Sequence, residues 1–133
     1  MDFLQPHFLI QLFSASILAI LFLQSGLDKV FDSKGNLEWL NEHFSNTIFK
    51  SQVKALFFIL TTVELLAGIV SFLGVIFLIF IGVKELAFYG AILSALSLVM
   101  LFFGQRIAKD YAGAGSLIGY MIFTVIALYF LGC

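Results

Sequence analysis

Glu64 is the residue whose chemistry most needs explaining. It is the one charged side chain between Ala55 and Gly82, in a run otherwise apolar enough to cross a bilayer. A carboxylate at such depth costs roughly 2.5–3.5 kcal/mol on insertion scales. It must therefore face the interior of a bundle, be protonated, or meet a cation. Arg106 is the preferred partner, because a planar guanidinium can grip a carboxylate through two hydrogen bonds. Lys29 is the second choice. Gln24, Ser25, Asp28, Gln105, Lys109 and Asp110 gather at the same end of the chain's path, so a polar cluster of Glu64, Arg106, Lys29, Gln105 and Asp28 is expected there. Three roles fit such a cluster. An ion pair could fix helix register, a pocket could take a ligand or quinone headgroup, or the carboxyl could relay protons.

Other chemistry finds little support. His7 and His43 fall on opposite sides of the expected topology, which argues against a shared metal site. The one cysteine, Cys133, can form neither an internal disulfide nor a CxxC pair. There is no haem pair, Gly-rich phosphate loop or nucleophile triad, so neither metal nor cofactor is expected, quinone apart. Gln105-Arg106 with Lys109 reads as a small basic flank that meets lipid headgroups.

The elements that must hold Glu64 follow from composition. Of 133 residues, 62% are hydrophobic and 11% charged, with mean hydropathy +1.10. Soluble domains are nearer half apolar and a quarter charged, so an ordinary soluble monomer is excluded. Disorder requires low hydrophobicity. Nucleic-acid binding requires a basic surface, and the net charge is −1. The apolar runs predict an all-α, polytopic membrane protein: one domain, 1–133, with transmembrane helices at about 8–27, 55–82, 86–103 and 112–131. The first span lacks the basic leader of a signal peptide, and its small triplet Ser14-Ala15-Ser16 sits mid-run, so it reads as a retained helix. Only Val83, Lys84 and Glu85 separate the second and third spans, which makes them antiparallel neighbours.

The 28–54 segment is the one sizeable hydrophilic stretch. Asp32 to Asn36 reads as a turn, with Asn36 the N-cap of a short amphipathic helix. Leu37, Leu40, Phe44 and Ile48 form its apolar stripe, and Trp39 lies beside them. Such a helix is expected to lie on the bilayer surface. Small residues suited to close helix contact recur at Ala67, Gly68 and Ser71, at Ala87, Ala91 and Ala95, and as a GxxxG at Gly115 and Gly119. Six of the seven Lys and Arg residues fall in the 28–54 and 104–111 loops, against Lys84 alone on the other side. This places those loops in the cytoplasm and both termini in the periplasm.

Ser25-Gly26-Leu27-Asp28-Lys29-Val30, Val63-Glu64-Leu65-Leu66-Ala67-Gly68 and the stretch from Gly104 to Gly113, in this order and spacing, resemble the DoxX family of small four-helix bacterial inner-membrane proteins. The resemblance covers most of the chain and marks Gly26, Lys29, Glu64 and Gly68 as a family signature without assigning roles. It implies a bacterial inner-membrane location and, because the family takes its name from a subunit of a thiosulfate:quinone oxidoreductase, a link to quinones. The first expectation for function is a non-catalytic accessory subunit of a larger membrane complex, in contact with lipid and another membrane protein. The alternatives are a quinone-linked oxidoreductase subunit with a headgroup pocket near Glu64, or a small transporter or proton pathway.

Overall fold

The structure, a computed structural model, describes residues 5–45 and 52–132. Ile48, Lys50 and Cys133 lie outside the described residues. The chain forms α1 (Pro6–Phe31), α2 (Ser33–His43), α3 (Val53–Phe80), α4 (Glu85–Ile107), α5 (Tyr111–Ser116) and α6 (Ile118–Gly132). Helices α1, α3 and α4, and the α5–α6 pair taken together, are long and apolar enough to cross a membrane. The protein is thus an all-α, multi-pass bundle. Helix α3 is central, packed on α1 and α4, while α6 leans on α4 and more lightly on α1.

Close approach is made by small residues. A Cβ at Gly68 would stand 2.6 Å from the Leu23 backbone nitrogen, and one at Gly74 would stand 2.5 Å from Ala87 backbone. Gly26 lies equally close to Leu65. The α1–α3 and α3–α4 pairs therefore meet backbone to backbone, which suits lipid, where dispersion contacts must replace the hydrophobic drive between helices. Gly82 ends α3 with φ 79°, and its N–H donates to Phe77 O at 2.8 Å, closing the short link to α4.

Several expectations change. Helix α1 runs through Asp28 and Lys29 to Phe31, and only Asp32 separates it from α2. The turn expected at 32–36 is instead the first turn of α2: Asn36 sends both its backbone N–H and its Nδ2 to Asp32 O. Asn36 is inside the helix and Asp32 takes the cap position. Helix α4 continues to Ile107, so Gln105 and Arg106 are helical and the connection shrinks to residues 108–110. The last span is broken at Leu117, where a tightened turn joins Leu117 N to Ala114 O at 3.2 Å. Gly115 and Gly119, the GxxxG pair, would place nothing within 4 Å of an added Cβ. Thr124, Ala127 and Leu131 bury the inner face of α6 in their place.

Candidate functional site

Helical phase decides which cation reaches Glu64. The buried face of α3 runs through Phe57, Thr61, Glu64, Ala67, Gly68 and Ser71, and Glu64 has no exposed surface. Gly26 brings α1 against Leu65, beside Glu64. Ser25 is its chain neighbour and Lys29 lies one turn further on. Lys29 Nζ stands 3.0 Å from Glu64 Oε2 and donates to Ser25 Oγ at 3.1 Å, while Ser25 Oγ donates to the same Oε2 at 3.2 Å. Oε2 therefore takes both donors. Among the described residues, neither Glu64 Oε1 nor Thr61 Oγ1, one turn earlier, has a hydrogen-bond partner. Leaving such atoms unpaired costs about 1–3 kcal/mol each.

The preferred partner, Arg106, is not there. The buried positions of α4 are Ala87, Gly90, Ala91, Ser94, Ser97 and Leu98. Continued by helical steps, that face reaches Gly104 and Gln105, and Arg106 turns outward. Its guanidinium lies 4.7 Å from the centre of the Tyr111 ring, a cation–π contact at the rim. Asp28 is exposed on the outer side of α1, and its carbonyl accepts Asp32 N. Gln105 belongs to a second cluster. Its Oε1 lies 3.1 Å from His43 Nε2, and Asp110 Oδ2 lies 3.5 Å from the same nitrogen. The Trp39 ring stacks on His43 at 4.3 Å. Asp110 is held in turn, since its Oδ1 accepts Gly113 N at 2.9 Å at the start of α5.

A cleft of about 370 Å³ lies between the two clusters, within the size range of small-ligand sites, roughly 300–1,000 Å³. One wall is α2, with Asn36, Trp39, Leu40, His43 and Phe44. The other is α3 and α4, with Phe57, Leu60, Met100, Phe103 and Gln105 among others, and Lys29 reaches it from α1. The walls are largely apolar, and their polar side-chain groups are the Lys29 ammonium, the Asn36 and Gln105 amides, the His43 ring and the Trp39 indole N–H. Lys29 is balanced by Glu64, and His43 lies beside Asp110. The site therefore suits an apolar body whose uncharged head exchanges hydrogen bonds.

Of the five residues expected to cluster, Lys29 and Glu64 meet, Gln105 lies across the cleft, and Arg106 and Asp28 stand apart. His43, Asn36 and Thr61 join the site without having been singled out for it. Thr61 could have been found, since it lies three residues before Glu64 on the same helical face. His43 and Asn36 could not, because their place depends on how α2 folds back. Among the described residues no group of three or more His, Cys, Asp or Glu could hold a metal. No protein-family model, curated protein or solved structure matches the chain.

Proposed function

We propose that this protein is a small DoxX-like subunit of the bacterial inner membrane that seats the polar head of a membrane-soluble amphiphile, of the quinone class, in the cleft between α2 and the α3–α4 pair. The observation that carries the reading is an apolar cleft whose polar groups include a lysine held in place by a wholly buried glutamate. A quinone carbonyl would accept from Lys29 Nζ while the ring lies among Leu40, Phe57 and Leu60. Trp39, the chain's one tryptophan, lines the same cleft and reports on it. Titration of the protein in lipid nanodiscs with a decyl-chain benzoquinone is expected to quench Trp39 emission saturably, and Leu60→Phe, which narrows the cleft without adding a second tryptophan, to raise the quinone concentration that half-quenches it. Quenching that rises linearly with quinone in the native protein, as by random collision in lipid, would sink the reading.

The accessory-subunit reading, which the sequence ranks first, has an observation of its own. Gly115 and Gly119 leave part of the outer face of α5 and α6 bare, flanked by exposed Ile118, Ile122 and Val125. A helix from another membrane protein could pack there as closely as α3 packs on α4. Mass spectrometry after gentle-detergent purification should then recover one membrane protein in fixed ratio, crosslinked to this face; recovery of the chain alone speaks against it.

A further inference from the structure

We infer that α2 is a hinged lid over the cleft, latched by His43 to Gln105 and Asp110, and that opening this latch admits the amphiphile; this rests on the reading of the cleft as its binding site. Helix α2 forms one whole wall of the cleft, yet it has no buried residue of its own. At its start it is joined to α1 through the single residue Asp32, at φ −125° and ψ 48°. One non-helical residue is a sufficient hinge, since hinges are a few positions at element ends that absorb a dihedral change.

Its other end is clasped. His43 Nε2 lies 3.1 Å from Gln105 Oε1, which as an amide oxygen can only accept, and Asp110 Oδ2 lies 3.5 Å from the same nitrogen. The Asp110 carboxylate also accepts Gly113 N at 2.9 Å, which ties it to the start of α5. Phe44 adds an apolar contact, its ring lying 3.4 Å from where a Cβ would stand on Gly104. Trp39 stacks on His43 and ties the ring to the middle of the lid. Trp39 and Phe103, on opposite lips of the cleft, are both about half exposed. An apolar tail can leave between them toward lipid while the head stays under α2. Exchange of the head requires α2 to swing from α4, and the polar contacts that must break first are those of His43.

The latch is tested on the full chain in nanodiscs with two independent variants, His43→Ala and Gln105→Leu. The second leaves His43 and its stack on Trp39 in place, so misfolding of the first does not decide the matter. Loss of one net hydrogen bond raises an opening constant by about tenfold. Amide hydrogen exchange over residues 33–45 is therefore expected to rise about tenfold in both variants, with α3 and α4 unchanged. Association and dissociation of a decyl-chain benzoquinone, followed by Trp39 quenching, should speed up together. Unchanged exchange over 33–45, or an association rate that does not rise, overturns the latch while leaving the cleft reading intact. Saturable quenching absent from native protein and variants alike overturns the cleft reading, and the lid falls with it.

Discussion

Lys29 and Glu64 stand 3.0 Å apart, but they are not equally enclosed: Lys29 keeps 16% of its side-chain surface and Glu64 none. Removing either partner leaves the other charge stranded, a loss of roughly 3–5 kcal/mol for a buried pair. The asymmetry predicts an order. Lys29→Met strands a carboxylate with no route to water, whereas Glu64→Gln strands an ammonium that can turn into the cleft and leaves an amide oxygen for it. Lys29→Met should therefore lower stability more than Glu64→Gln. The double variant should fall short of the sum by more than about 1 kcal/mol, as expected of residues in direct contact. Unfolding in mixed micelles measures both quantities; additive losses would show that the pair is not coupled.

At the scale of helices, two kinds of glycine can be told apart. Gly74 faces Ala87 backbone so closely that a methyl group forces α3 and α4 apart. Gly119 faces nothing within 4 Å in this chain. Gly74→Ala is expected to destabilise the bundle by about 1–3 kcal/mol, the range for overpacking a tight contact. Gly119→Ala should be neutral or stabilising by up to about 1 kcal/mol, because alanine is the better helix former. Unfolding midpoints of the two variants, compared in the same detergent, give the signs. A loss for Gly119→Ala in the native membrane but not in purified protein would point to a partner helix on that face. Gly119 belongs to a GxxxG pair and Gly74 does not, so the sequence motif points to the wrong glycine and only the packing shows which one a neighbour meets.

For the whole molecule, the contact of His43 with Gln105 and Asp110 brings α2 and the α4–α5 connection to one end of the bundle. Lys29, Lys34, Arg106 and Lys109 belong to that end, and Lys84, in the α3–α4 link, belongs to the other. With four crossings, the basic-residue bias predicts that the α2 end faces the cytoplasm. A reporter fused after residue 133 should then be active in the periplasm, and one inserted at Lys109 in the cytoplasm. The reverse pattern would refute the orientation and leave the bundle itself untouched.

Composition and the spacing of charges were enough to determine an all-α chain with four membrane-crossing helices, and to mark Glu64 as a residue in need of a partner. Those inferences need no tertiary information, because the cost of exposing polar backbone or a bare carboxylate to lipid does not depend on which helices are neighbours. The same reasoning ranked Arg106 above Lys29 on the chemistry of its side chain. The structure reverses that order through helical phase: α4 turns Arg106 outward to Tyr111, while the close approach at Gly26 sets Lys29 against α3. Helices α1 and α4 run past the ends that the uncharged runs predict at Leu27 and Phe103, because they carry their charges outward or onto a partner. The cleft itself was not legible. It exists because α2 turns back at Asp32 and lays Trp39 and His43 over residues more than sixty positions away, and no local pattern encodes where such a helix comes to rest.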